Sequence, residues 1–414
     1  MVMALSRAEL LKRVVLTLWV GTFVFIAVKS VATPTKRTMY PHYAETAREW
    51  ISEGQFTSII SYQYLPYFGD LMAPFAAMPD GLGSPCWAIL CFVVYGTGIR
   101  AFLRVHAPES GPAGVGRDLA LLCGLCVGCG SLSNGQSNLL IIGSWLWAAV
   151  AVRDRRWWAA AFLFALPMFK MYTLVAGLVF AFLYPRQLAG RLAVCVGVLL
   201  ALPFLFHPDA AVWHRHETAL AYLTGGDHYR IFNFQTLYEA WLVCIGPIDP
   251  ARLLPVQALA GLAVPLVLAL RRWRGADHAE LEKRGLFLTA MWCVSFGPSI
   301  EPQTYILVAP ALGWWLARCV AGPRPSRVGA AFVTAAVIMA GSPLYTFFRT
   351  QTGEATNTKL PWAAMALCHL AFLVVAAGRP HGVTTRPLPP GSTARGSRPP
   401  IWHRLRSRAA AAGS

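Results

Sequence analysis

The chain has 414 residues, 56% of them hydrophobic and only 13% charged, with a mean hydropathy of +0.48. Water-soluble domains carry roughly 25% charged residues, so a chain this poor in charge cannot clothe its own surface, which excludes an ordinary soluble fold. The formal net charge of +17 would suit nucleic acid, but the basic residues fall in short clusters between apolar runs, which excludes that partner too.

A bilayer solvates apolar helix faces directly, and the predicted fold class is all-α, a polytopic transmembrane helical bundle of about 10–12 spans. In chain order the apolar runs are 14–32, 86–103, 118–132, 137–152, 157–169, 172–184, 188–206, 253–271, 285–299, 303–320, 328–346 and 361–378. The first follows Arg7, Lys12 and Arg13, is long enough to span, and carries Lys29 near its end with no small-x-small cleavage site. It reads as an uncleaved helix. Cys123, Cys126 and Cys129 recur every third residue in one run, the pattern of a small-residue helix face. No disulfide framework, metal or cofactor is expected.

The runs 157–169 and 172–184 are too long together for one helix and short for two, and Pro167 and Lys170 interrupt them. Charge decides between one span and two. With the N-terminus in the cytoplasm and the runs taken as a pair, cytoplasmic segments hold 26 of the 36 Lys and Arg and 7 of the 19 acids. That is the positive-inside arrangement. The chain is therefore expected in the cell membrane, multi-pass, with both termini cytoplasmic and its basic residues beside anionic membrane lipids. Residues 1–378 form one transmembrane domain with long outer segments at 33–85 and 207–252, the latter holding an interfacial helix at 234–247. Residues 379–414, rich in Pro, Gly, Ser and Arg, read as a disordered basic cytoplasmic tail.

Polar side chains at membrane depth are costly and therefore candidates for function. Here they gather at outer hairpins: Asn134, Gln136, Ser137 and Asn138; then Lys170; then His207, Asp209, His214, Arg215, His216, Asp227, His228 and Arg230; then Ser295, Ser299 and Glu301. The expectation is a single pocket opening to that side. Lys170, between Phe169 and Met171, suits a cation facing a phosphate, or one that snorkels to the interface. Asn134–Asn138 also fits a simple turn. The loop histidines lack any zinc-protease spacing.

The run GQSNLLIIGSWLWAAVAVRDRRWWAAAFLFALPMFKMYTLVAGLVFAFLYPR resembles the central signature of glycosyltransferase family 87. There a Gly-Gln-x-Asn opens one span, an Arg-containing hairpin leads into an Ala-rich one, and a Lys precedes the next. Before it stand YPHYAETAREWISEGQF and YQYLPYFGDLMAPFAAMPD, and after it IFNFQTLYEAW and SFGPSIEPQTYILVAPAL, so that the likeness covers about residues 15–375. The resemblance implies the GT-C architecture and a membrane hexosyltransferase. Such an enzyme moves a sugar, usually mannose, from a polyprenyl-phosphate donor to a lipid or glycan acceptor on the non-cytoplasmic face.

It also implies roles. Lys170 would face the donor phosphate with Arg230 as helper, Asn134, Gln136 and Asn138 would bind sugar or phosphate oxygens, and Tyr64, with Tyr62 and Tyr67, would supply a stacking wall. The family's acidic residue in the first outer loop, thought to be the general base, aligns near Met39, where no carboxylate stands. The replacements, in order, are Glu45, Asp70 and Asp227. Three other readings compete. A lipid-linked sugar flippase would want polar residues on both halves of the membrane. An outer-face glycan ligase would use HPDAAVWHRHETALAYLTGGDHYR. A catalytically altered family member would account for Met39.

Overall fold

A computed structural model describes residues 6–56, 64–106, 114–224, 254–297, 300–321 and 326–340, together with Gly246 and Arg252. The expected interfacial helix at 234–247, the run 361–378 and the tail 379–414 lie outside these residues, Gly246 apart. Among the described residues the chain forms α1 (Arg7–Ala32), α2 (Tyr40–Glu53), α3 (Tyr67–Ala76), α4 (Asp80–His106), α5 (Val115–Asn134), α6 (Asn138–Arg153) and α7 (Trp157–Ala165). There follow α8 (Val175–Leu183), α9 (Gly190–Ala201), α10 (Asp209–Thr224), α11 (Leu254–Trp273), α12 (His278–Phe296), α13 (Ala309–Ala321) and α14 (Arg327–Ala340), with no β-strand.

This is a polytopic helical bundle. Among the described residues, each expected run from 14–32 to 328–346 overlaps helical structure. The run 303–320 departs in form, opening as a 3-10 turn over Pro302–Val308 before α13 begins. Among the described residues five segments are long and apolar enough to cross a bilayer: α1, α4, α5, Pro185–Leu205 and α11. The helices α6 and α14 and the two segments around α7 and α8 are apolar but shorter. On α1, Leu16, Val20, Val24, Phe25 and Val28 all stand exposed, as do Leu259, Leu262 and Leu266 on α11. Apolar surface in continuous stripes of that kind demands a lipid neighbour.

The interior is built on α6, where nearly every residue from Asn138 to Val152 is buried. It crosses α4 at glycines. A methyl on Gly143 would sit 2.8 Å from the Val94 backbone, and one on Gly98 would sit 2.9 Å from the Gly143 carbonyl oxygen. The two backbones therefore touch, as small residues allow in membrane bundles.

The pair α7 and α8 decides where the site lies. Trp157 and Tyr184 bring their rings to 5.4 Å, and Phe164 and Phe180 to 4.6 Å, so the chain folds back on itself as a hairpin. At the tip, α7 tightens into a 3-10 turn over Leu166–Phe169 with Pro167 in its first turn, Lys170 is extended (φ −99°, ψ 98°), and a second 3-10 turn, Met171–Leu174, leads into α8. The Thr173 hydroxyl caps the break, donating to the Lys170 carbonyl at 2.8 Å. Each limb is about thirteen residues, or roughly 20 Å of helix, against a hydrocarbon core of about 30 Å. The tip therefore stops inside the bundle.

Candidate active site

Three segments converge on that tip. The first is the turn between α5 and α6. Gly135 (φ 59°) ends α5 in a left-handed cap that frees the chain to reverse, and α6 starts at Asn138. The Gly135 carbonyl accepts from Trp87 Nε1 at 2.8 Å, and the Asn134 carbonyl accepts from the Met39 amide at 2.8 Å and from the Thr38 hydroxyl at 3.2 Å. The second is the α2–α3 unit. On α2 the apolar spacing buries Tyr40, Tyr43, Ala44, Ala47 and Trp50. Beyond it, Leu65 donates its amide to the Phe169 carbonyl at 2.9 Å, and Tyr64 pairs with Lys170 in an isolated antiparallel bridge. The third is the segment from Ile300, Glu301 and the 3-10 turn into α13.

Together they bury a continuous polar chain. Lys170 Nζ donates to Asn138 Oδ1 at 3.1 Å. Asn138 Nδ2 donates to Gln136 Oε1 at 2.7 Å and to the Thr304 hydroxyl at 3.2 Å. Gln136 Nε2 donates to Glu301 Oε2 at 2.6 Å. Lys170, Asn138 and Gln136 are 6%, 1% and 4% exposed, whereas Glu301 is only half-buried. The chain thus runs from an accessible carboxylate to an enclosed ammonium.

Lys170 also lies over the Tyr64 ring, 5.5 Å from its centre. The buried Arg215 of α10 donates to the Tyr64 carbonyl oxygen at 2.9 Å and covers the Phe56 ring at 4.2 Å. Tyr64 stacks on Phe68 at 4.4 Å, and Tyr43 meets both rings edge-on.

An ammonium has three N–H donors, and among the described residues Lys170 directs one hydrogen bond to a protein acceptor. The hydroxyl of Tyr172 and Oε1 of Gln303, both buried, have no hydrogen-bond partner among the described residues. Buried polar atoms normally find partners. A buried cation with donors to spare suits an anionic ligand with several oxygens.

The sequence-derived candidates separate on this geometry. Gln136, Asn138, Lys170 and Tyr64 come together, while Asn134, two residues before Gln136, gives its carbonyl to Met39 and Thr38. Glu45 stands on the exposed face of α2, pointing away from the face that packs on the site. Asp70 lies in a different buried group. Its Oδ1 accepts from Trp50 Nε1 at 3.0 Å and lies 2.9 Å from His207 Nε2, with the imidazole tilted against the Trp50 ring at 4.2 Å. Asp227, Arg230 and Tyr62 lie outside the described residues. Sequence reasoning noted Arg215 and Glu301 as polar outer residues without giving them roles. Thr304 and Tyr43 went unnoticed, because residues over 90 positions apart in the chain form these contacts. Among the described residues no three His, Cys, Asp or Glu gather as a metal site would require.

One family model matches the chain, that of glycosyltransferase family 87, over residues 62–296. The match takes in Gln136, Asn138, Lys170 and Arg215 and ends just before Glu301. No curated protein matches the chain.

Proposed function

The chain belongs to glycosyltransferase family 87 and is a membrane glycosyltransferase, and from that premise we propose that it takes a hexose, mannose foremost, from a polyprenyl-phosphate donor. The acceptor is a lipid or glycan on the non-cytoplasmic face of the cell membrane, with residues 1–378 as the catalytic domain. The observation that carries this reading is the enclosed Lys170 ammonium, tied through Asn138 and Gln136 to a carboxylate at the site's edge. A phosphate leaving group needs little proton donation, but it gains from fixed positive charge held away from water.

Lys170, with Arg215 beside Tyr64 and Arg230 from the same outer segment, binds the donor phosphate. Asn134, Gln136 and Asn138 hold sugar or phosphate oxygens. Tyr64, backed by Phe68 and Tyr43, offers its ring to the sugar or the isoprenoid. Glu301 takes the role of base ahead of Glu45 and Asp70, because among the described residues it is the acid joined to the lysine's network; Asp227 lies outside those residues. In the transfer, an acceptor hydroxyl oxygen forms the new bond to the anomeric carbon as that carbon's bond to the phosphate oxygen breaks. Glu301 receives the hydroxyl proton, and polyprenyl phosphate departs with the electron pair. Asp70, held by Trp50 and His207, fastens the α2–α3 unit to the chain just ahead of α10.

The test is transfer of labelled hexose from synthetic polyprenyl-phosphate donors in membranes carrying the full chain. Lys170→Ala is expected to lose roughly a hundredfold or more with protein level and melting temperature retained. Wild-type transfer by that variant would remove the lysine from the mechanism.

A further inference from the structure

The base of the α7–α8 hairpin carries a second polar feature that the transfer site does not use. A cavity of about 830 Å³ opens there, where α6 and α8 end and α7 and α12 begin. Its charged lining is Arg153, Arg155, Arg186 and Arg272 against one carboxylate, Glu282. Arg153 is the last residue of the 16-residue α6, whose first is Asn138. The cavity and the transfer site are therefore roughly 22 Å apart along that helix, at opposite ends of the bundle.

Three observations point to a ligand. Arg155 and Arg186 have no carboxylate within ion-pair distance among the described residues, although the neighbouring Arg153 and Arg284 do. Arg155 also sits at φ 57°, in the position after α6 where its amide donates to the Val152 carbonyl at 3.0 Å and the Arg156 amide to the Ala151 carbonyl at 2.8 Å. That closing pattern favours glycine, because a side chain is strained there. Strain kept at a charged, cavity-lining position is a pointer to use. Finally, Glu282 is 2% exposed. The Tyr184 hydroxyl donates to its Oε1, and Arg153 Nε lies 3.7 Å from its Oε2, but Oε2 accepts no hydrogen bond.

We propose that this cavity binds a phosphate-bearing headgroup that also carries a hydroxyl. Guanidinium forks match phosphate oxygens, and Oε2 of Glu282 takes the hydroxyl hydrogen. A bare phosphate would leave that carboxylate facing an anion. Two sources share this chemistry, an anionic glycerophospholipid and a soluble phosphorylated polyol. The lipid fits the rim, where Phe182 lines the opening and is half exposed, so acyl chains can lie along the hairpin while the headgroup enters.

The test uses the purified full-length chain in detergent, with melting temperature and native mass spectrometry as readouts. The probes are phosphatidylglycerol, phosphatidylcholine, phosphatidic acid and glycerol 3-phosphate. Phosphatidylglycerol is expected to bind and to raise the melting temperature above its value in phosphatidylcholine. Arg155→Gly relieves the strained backbone and so folds at least as well as wild type. It is expected to weaken phosphatidylglycerol binding roughly fivefold, and adding Arg186→Gln to extend the loss to roughly thirtyfold. Glu282→Gln is expected to narrow the preference for phosphatidylglycerol over phosphatidic acid. Binding of glycerol 3-phosphate but not of phosphatidylglycerol supports the chemistry and assigns it to a soluble ligand. Equal retention of phosphatidylglycerol and phosphatidylcholine by wild type, or unchanged affinity in the double variant, overturns the proposal.

Discussion

The two ends of the α7–α8 hairpin put the same kind of residue to opposite uses. At the tip, one lysine is buried, held among the described residues by a single amide oxygen and an aromatic face, and connected through side chains to a distant carboxylate. At the base, four arginines line an open cavity, three of them with no acidic partner among the described residues. A cation withdrawn from water interacts strongly with whatever charge develops beside it, because little solvent competes. A cation at the rim attracts ligands but is screened. On the proposed roles, burial, more than charge, separates a residue that acts on bond-breaking from one that acts on occupancy.

The contrast can be broken or sharpened by substitution. The largest effect is expected at the tip. Lys170→Met keeps the length and removes the charge, and should cut transfer roughly a hundredfold or more while leaving binding at the arginine cavity unchanged. Next, Glu301→Gln should lower the rate by about 10²- to 10⁴-fold. A variant in which acceptor saturation shifts but the maximal rate does not would assign Glu301 to positioning. Asp70→Asn should lower stability by about 1–3 kcal/mol, read in the melting temperature, because it weakens the buried group joining Trp50 and His207. Arg155→Gly should raise stability in a neutral lipid by about 0.5–1 kcal/mol, with transfer intact. The smallest effect is expected for Glu45→Gln, which should leave transfer and melting temperature within about 0.5 kcal/mol of wild type. A large loss there would return the base to α2.

The parts of this arrangement that were legible in the sequence were those governed by local physics. The hairpin could be read because Pro167 breaks a helix and the arginines on either side fix which ends meet. The cluster at Gln136, Asn138 and Lys170 could be read because polar groups in apolar surroundings demand partners. The partner acid could not. Glu301 joins Gln136 across 165 residues, and nothing in the local pattern of either segment encodes that encounter. Glu45 stands apart from that cluster for a related reason. It precedes a run of buried positions on α2, but one step around a helix moves a side chain by about 100°, and Thr46 and Ala47 are buried where Glu45 is not. The pairing of Asp70 with His207 spans 137 residues and was equally invisible.

The crossing of α4 and α6 has a mechanical consequence. With the Gly143 backbone against that of Val94 and the Gly98 backbone against that of Gly143, the two helices interlock like meshed gear teeth. A slip of one residue, about 1.5 Å, would drive side chains such as Val94 into main chain. This pair is the keel of the molecule, and it carries Asn138 at one extremity and Arg153 at the other. If the donor is the proposed isoprenoid, its admission falls to elements seated more lightly, and α1 and α11, with 11% of their apolar windows buried, are the planks that can give way.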